Sequence, residues 1–370
     1  MSHGARFAPR EQVPLAPWTT LGVGGPARFF AEIADEPTLI EALAWADARG
    51  HRAVLLGGGS NLLVADRGLD ALVLRLRLRG LALTPLGDRT QLEAAAGEPW
   101  DEVVAFAVAH DLAGIECLSG IPGDTGATPI QNVGAYGQEV GDTLVSLRAL
   151  DRARGVMVEL DRAACEFGYR DSLFKQRAKG AYVITHARFA LHPGGAPALR
   201  YGELTQRFTA LGNTAPSLAE VREQVIALRR AKSMVLDPTD ENGRSAGSFF
   251  MNPTVDAAAL TALRARVEAS AVLRPGEAMP TYPAPEGRTK LSAAWLIERA
   301  GFHKGAGEGR VGLSTRHTLS LVNRGGASAA ELLSFARQVR EVVVARFGVS
   351  LHAEPVMEGF TREELGAIGA

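Results

Sequence analysis

The stretch Leu118–Val140, LSGIPGDTGATPIQNVGAYGQEV, constrains this chain most. It carries glycine at 120, 123, 126, 134 and 137, proline at 122 and 129, and only two charges, Asp124 and Glu139. It shows neither a helical nor a strand period, and it is too polar and too broken to span a membrane. Glycine at this density costs conformational entropy, so the segment must need positive φ or close approach of something to bare backbone. Anions and the edges of flat polar rings approach bare N–H groups best. A turn-rich surface loop is the alternative. A stretch of about 20 residues without regular structure inside a compact chain argues against it.

The bulk numbers exclude several classes. At 370 residues the chain can hold two or three domains. Its 46% hydrophobic and 22% charged content is ordinary for a soluble globular protein. A formal net charge of −1 gives no global attraction to nucleic acid or an anionic membrane. Cys117 and Cys165 form no CxxC pattern, which points to a reduced, cytoplasmic setting and away from structural zinc. The opening MSHGARFAPREQ has no apolar run and so reads as no signal peptide, and no segment reaches the roughly 20 apolar residues of a spanning helix.

In chain order, a helix is predicted over 38–49, then a short strand over 53–56 running into GGGSN (57–61). Comparison with the dinucleotide fingerprint fails here. Leu62 stands where a third glycine should, and the segment after it is patterned as a strand, not a helix. Leu72, Leu74, Leu76 and Leu78 alternate with Val73, Arg75, Arg77 and Arg79, which predicts a strand with one wet face. No GKS or GKT follows either glycine cluster, so a P-loop is excluded. A second part begins near Gly80, with strands over 91–96, 144–150, 156–160 and 181–191 and a helix from Pro99. Ser217 and Glu220 form a capping box for a helix to about Ala231. The third part opens with turn-rich 232–253. Helices are predicted over 255–269, 291–300 and 329–347, the last with Ser328, Glu331 and Gly348 as start and stop signals. A final strand over 349–357 carries Glu354. Strands and helices mix without βαβ alternation, so the fold class is α+β.

No metal-binding histidine pair occurs among the eight histidines. Tyr169, Arg170, Asp171 and Ser172 lie between apolar Phe167 and Leu173–Phe174, as a site or as a surface turn. Ser248, in SAGSFFMN, is a turn or cap residue unless something places it in a pocket. Glu354, in LHAEPV, is at a wet strand edge or buried with a task.

Together and in this order, GGGSN (57–61), GIPGDTGATPIQNVGAYGQEV (120–140), GYRDSLFK (168–175), SAGSFFMNP (245–253) and the Glu354 strand resemble the UDP-N-acetylenolpyruvoylglucosamine reductases, flavoproteins of peptidoglycan synthesis. The resemblance runs from about Thr19 to Gly359. It implies a two-subdomain FAD-binding fold of the vanillyl-alcohol-oxidase type, with subdomains over 1–79 and 80–235. A substrate domain over 236–350 comes next, and a C-terminal strand over 351–370 returns to the first subdomain. It further implies non-covalent FAD held by Gly57, Gly58, Gly59, Ser60, Asn61, Gly120, Ile121, Pro122, Gly123, Gly126, Asn132 and Gly134. Arg170, Ser248 and Glu354 become catalytic, with Ser248 the proton donor. Tyr136, Tyr169, Lys232 and Asn252 become substrate contacts, as does Tyr201, 31 residues after Arg170, on a closing loop.

The implied chemistry is two half-reactions in one site. NADPH reduces the flavin and leaves. Hydride then adds to the vinyl CH₂ of a UDP-sugar enolpyruvyl ether, Arg170 holds the developing charge, and Ser248 protonates the adjacent carbon. No nucleic-acid or membrane partner is implied, and a monomer is the working expectation. Departures from the family pattern are His352-Ala353-Glu354 in place of a Glu-Pro-Glu run, and Asp124, Thr125 and Ala127 in the glycine segment. The competing readings are a sugar or alcohol oxidase of the same fold, which leaves GYRDS and SAGSFF unexplained, and a non-catalytic nucleotide-binding protein, against which Arg170, Ser248 and Glu354 stand together.

Overall fold

Strand Leu69–Leu76 is central to the first sheet of the computed structural model, which describes residues 7–369. The order is Arg10–Pro14, Pro26–Ile33, Leu69–Leu76, Arg52–Leu56, and the last two strands run parallel, with Leu56 opposite Arg75. The wet face predicted for this strand does not hold at Arg75. The strand ends at Leu76, and Arg75 is only 9% exposed, while Arg77 and Arg79 are solvent-exposed. The Arg75 side chain is ion-paired to buried Asp124, so a polar alternation here marks an internal charge pair. Helix Glu36–Asp47 packs Leu39, Ala42, Leu43 and Ala46 into the apolar cluster of this sheet, with Asp35 capping the amide of Thr38 at 2.7 Å.

A second, antiparallel sheet runs Val156–Asp161, Leu144–Asp151, Tyr182–Pro193, Arg89–Ala95, Leu81–Leu86. Helix Trp100–Ala109 buries Trp100, Val103, Val104 and Ala107 in its core. Helix Leu218–Ala231 starts at Ser217 with the predicted capping box. Helix Gly202–Ala210 is additional to the predicted elements. It is short, and its signal is one apolar pair, Leu204 and Phe208, at i and i+4.

The chain divides into two units, each discontinuous in sequence, where the sequence predicts three parts. The larger takes residues up to Val13, Ala27–Gly58 and Asp70–Leu236, and the smaller Pro14–Pro26, Gly59–Leu69 and Asp237 onward. In the smaller unit, helices Ala257–Ala269, Ala293–Arg299 and Ala329–Phe347 surround a core that includes Phe249, Phe250, Trp295 and Phe347. Asp256 and Ser292 cap the first two, which is why those helices begin two residues later than predicted. Helix Ala329–Phe347 has its predicted bounds, with Gly348 in the left-handed conformation at its end. Asp66 accepts the amides of Ala329 and Ala330 at 2.7 and 2.9 Å, which adds a negative charge at the positive end of the helix.

The predicted C-terminal strand over 349–357 is also corrected. Only Val356–Glu358 is a strand, parallel to Leu62–Val64. Pro355 lacks an N–H and restricts the residue before it, so a continuous ladder stops there.

One ion pair in this unit gives an acid-stability prediction. Arg299 hydrogen-bonds the Glu277 carboxylate, the Arg274 amide donates to it at 3.0 Å, and the Trp295 indole at 2.9 Å. These contacts hold Glu277 at about 2, below its ordinary 4.5. Its contribution to stability is therefore present above about 4.5 and lost as pH falls toward 2. Glu277→Gln should lower the melting temperature at neutral pH and flatten its fall across that window. An unchanged pH profile of melting would contradict the assignment.

Candidate active site

In the larger unit two glycine loops meet backbone to backbone. A Cβ on Gly58 would lie 2.7 Å from the Cα of Gly123, so Gly58 leaves no room for a side chain, and Gly123 itself has a φ of 114°. The second loop is anchored from below: the amide of Trp100 donates to Gly123 at 2.9 Å, that of Thr125 to Glu98 at 2.9 Å, and that of Gly126 to Ala96 at 2.9 Å. Gly57 and Gly58 face Asp124, whose carboxylate oxygens lie 3.9 and 3.3 Å from their Cβ positions. Burial pushes the Asp124 carboxyl up, against the pull of Arg75. Where the loops meet, the surface is bare backbone, the kind of cradle that a nucleotide diphosphate needs.

Two acids, one of them fully buried, fix the approach to this segment. Glu116, fully buried, accepts the amides of Gly114 and Ala198, both at 2.8 Å, and the side-chain amide of Gln138 at 2.8 Å. Asp101 accepts the Gly120 amide at 2.6 Å and both terminal nitrogens of Arg222, at 2.5 and 2.9 Å. Burial pushes the Asp101 carboxyl up, yet Arg222 and the Gly120 amide hold it below its usual range. Gly120 thus sits on a charge-assisted anchor that composition does not disclose.

Asn132, Tyr136 and Arg170 all adopt left-handed backbone, at φ of 44°, 49° and 54°. Six other non-glycine residues in the described chain share this region, so the conformation by itself marks tight turns and the contacts of these three decide what the turns position. Asn132 is buried. Its side-chain amide donates to Gly168 at 3.0 Å and to Glu139 at 2.7 Å, and its oxygen accepts from Gly141 at 2.8 Å. It therefore ties Gly134's loop to the turn that carries Tyr169 and Arg170. Arg170 Nη1 lies 3.5 Å from the Cβ position of Gly134, and Lys175 fixes the Arg170 carbonyl at 2.9 Å. Tyr136 and Tyr201 meet edge to face, centroids 5.5 Å apart at 90°, and burial pushes the Tyr136 phenol up to about 12. Lys232 pairs with Glu203 at 2.7 Å. Arg229, missed from sequence, has a buried Nε without a hydrogen-bond partner, and burial pulls its guanidinium down to about 10, still cationic at neutral pH. Its Cδ lies 3.4 Å from the Cβ position of Gly120.

The smaller unit gathers the remaining predicted residues. Phe249 and Phe250 are buried, with ring centroids 5.2 Å apart. The segment they belong to runs antiparallel beside the chain around Glu354. Phe250 bridges Ala353, the Met251 amide donates to His352 at 3.0 Å, and the Glu354 amide donates to Phe249 at 2.9 Å. Asn61 joins from the other side, accepting the Val356 amide at 2.9 Å and donating to the Glu354 carbonyl at 3.4 Å. Thr20 links Gly59 to the same cluster, with its amide on Gly59 at 3.1 Å and its hydroxyl on Ser245 at 2.6 Å. Ser248, half-exposed, is thus one residue from the paired segment that carries Glu354. Asn252 accepts the Ala293 amide at 2.9 Å, so its oxygen is already committed to a helix start.

Residues 237–357 match the family model described as UDP-N-acetylenolpyruvoylglucosamine reductase, C-terminal domain, and residues 27–161 match the FAD binding domain model. The protein named UDP-N-acetylenolpyruvoylglucosamine reductase of Saccharopolyspora erythraea is 52% identical over 348 residues, covering 93% of this chain and 94% of the relative. The chain belongs to that family. The proteins of the same name from Thermobifida fusca and Mycobacterium tuberculosis are 47% identical over 95% of this chain and 44% identical over 96%, with 98% and 96% of their own lengths covered. The crystal structure of UDP-N-acetylenolpyruvylglucosamine reductase from Thermus caldophilus superposes with a TM-score of 0.64 at 24% identity. It covers 95% of this chain and 100% of that one, and shows the fold. The α+β, FAD-binding fold inferred from the motifs is therefore the fold of this reductase. Among the described residues no cluster could hold a metal ion, and no helix is long and apolar enough to cross a membrane.

Proposed function

We propose that this reductase takes hydride from NADPH through FAD and reduces the enolpyruvyl ether of UDP-N-acetylglucosamine enolpyruvate to UDP-N-acetylmuramate for peptidoglycan synthesis. The observation that carries the reading is 52% identity to a named reductase over 93% of the chain. Bound flavin supplies the hydride relay between NADPH and the vinyl carbon.

The protein's own residues supply binding, charge and a proton. Gly57–Asn61 and the loop from Gly120 to Gly134, with Ile121, Pro122, Gly123, Gly126 and Asn132, hold the cofactor by backbone. Bare backbone at Gly58 and Gly123 supports this. Arg170 binds the substrate carboxylate by a two-point contact and stabilises the charge that develops there. Ser248 gives its proton to the carbon next to that carboxylate, and Glu354 is the second catalytic group. Tyr136, Tyr169, Lys232 and Asn252 bind the sugar nucleotide.

Tyr201 closes over the substrate. It is 47% exposed at the start of helix Gly202–Ala210 and touches Tyr136 by its ring. Tyr201→Phe should weaken substrate binding to the oxidised enzyme by about tenfold, the size of one lost hydrogen bond to a charged group, and leave flavin reduction by NADPH unchanged. Equal affinities would remove the closing role.

The function itself is tested on purified protein under anaerobic conditions. A yellow protein should bleach with NADPH and regain colour with the enolpyruvyl sugar nucleotide. Recovery of colour with air alone, and none with that substrate, would move the reading to an oxidase.

A further inference from the structure

The alternation of Arg75, Arg77 and Arg79 reads in the sequence as a half-solvated strand, and the proposed reaction assigns it nothing. In the structure all three guanidinium groups pull on one carboxyl, that of Asp124. Two of them have other acids to satisfy: Arg77 pairs with Glu32 at 3.7 Å and Arg79 with Glu98 at 2.9 Å. Arg75 is committed to Asp124. Its side chain is 10% exposed and that of Asp124 is 7% exposed, and Arg75 also donates to the Leu76 carbonyl at 3.2 Å. The Asp124 carboxylate lies along Gly57 and Gly58, beside the point where the Gly58 backbone touches Gly123. An acid therefore stands in the cradle assigned to a diphosphate. Left uncompensated, a buried carboxylate there repels a dianion at short range.

We propose that Arg75 is a cofactor-positioning residue that cancels the Asp124 carboxylate beneath the two glycine loops, so that they accept the diphosphate of a flavin dinucleotide. This rests on the FAD reading above. A purely structural pair makes a different prediction, because breaking it from either side leaves one buried charge and damages the protein equally. A compensating pair is asymmetric. Loss of Arg75 leaves the Asp124 carboxyl beside the loops without its counter-charge, so that binding an anion there must also cost its protonation, whereas loss of the Asp124 charge leaves a cation.

The test measures FAD dissociation from the purified full-length protein, by fluorescence of released flavin on dilution, beside binding of UDP-N-acetylglucosamine to the flavin-loaded protein. Arg75→Met should weaken FAD by about 10²-fold or more, the scale of a close like-charge contact. Asp124→Asn should hold FAD within about threefold of wild type or more tightly, and Arg75→Met/Asp124→Asn should recover to within about tenfold. Should Arg75→Met fail to fold, Asp124→Asn and the double variant carry the test alone, and FAD weakened more than about tenfold by Asp124→Asn then overturns the proposal. FAD weakened about equally by Arg75→Met and Asp124→Asn, or a double variant no better than Arg75→Met, overturns the proposal. If UDP-N-acetylglucosamine affinity falls in Arg75→Met while FAD affinity does not, the diphosphate is the substrate's and the proposal is also overturned. A wild-type protein that retains no FAD instead removes the flavin reading itself, which separates the two failures.

Discussion

Ser248→Ala is expected to leave reduction of the flavin by NADPH almost unchanged and to slow its reoxidation by the enolpyruvyl substrate by about 10² to 10⁴-fold, the usual size for a lost general acid. The effect is separable because the backbone around Ser248 is fixed by contacts that alanine keeps. The Phe249 amide is bound to Leu319 at 2.7 Å, the Gly247 carbonyl accepts from Ser320 at 2.8 Å, and Phe249 and Phe250 are buried in the core. Removing one hydroxyl therefore changes chemistry and not position. A serine is a weak acid in water, yet it serves a strongly basic carbanion-like centre when held in place with water excluded. Cysteine should restore part of the loss, since a thiol also delivers a proton. If Ser248 is only a turn residue, alanine costs at most about 1–2 kcal/mol of stability and both half-reactions proceed. Anaerobic stopped-flow on each half-reaction decides it. Equal slowing of both, or of neither, removes Ser248 as the acid.

Arg170→Lys should be nearly as damaging, with reoxidation slowed by roughly 10² to 10³-fold, comparable to losing one oxyanion donor. Lysine keeps the charge but cannot make a planar two-point contact with a carboxylate. The backbone is not the variable here. Position 170 already holds an L-residue at φ 54°, its carbonyl is bound by Lys175 at 2.9 Å, and Asn132 holds the neighbouring Gly168. Flavin content and flavin reduction by NADPH should match wild type. A lysine variant that turns over at close to the wild-type rate would falsify the carboxylate-binding role.

Features written in local spacing are legible in the sequence. The capping boxes Ser217–Glu220 and Ser328–Glu331 appear as predicted, because a cap needs only its own first turn. The glycine segment announces a backbone-lined loop for the same reason. Long-range pairs are not legible. Arg75 reads as a solvated strand residue until Asp124, 49 residues away, is seen to bury it. Arg229 sits in LRR within an amphipathic helix, where nothing local separates a buried guanidinium from an exposed one. Helix Gly202–Ala210 lacks a side-chain cap, and the Glu354 segment reads as a strand although Pro355 follows it. The segment that carries His352, Ala353 and Glu354 pairs through backbone, by the carbonyl of His352 and the amide of Glu354.

In the proposed reaction the protein holds flavin and the enolpyruvyl sugar nucleotide together and gives the proton from its own residue, while the cofactor would supply the hydride. The most direct test is an anaerobic single turnover. The protein is reduced with one equivalent of NADPH and then mixed with the substrate, and the product is followed by mass spectrometry alongside the flavin absorbance. One UDP-N-acetylmuramate should form per flavin reoxidised, at the rate at which the yellow colour returns. Colour returning without that product, or product forming without change in the flavin, would contradict it.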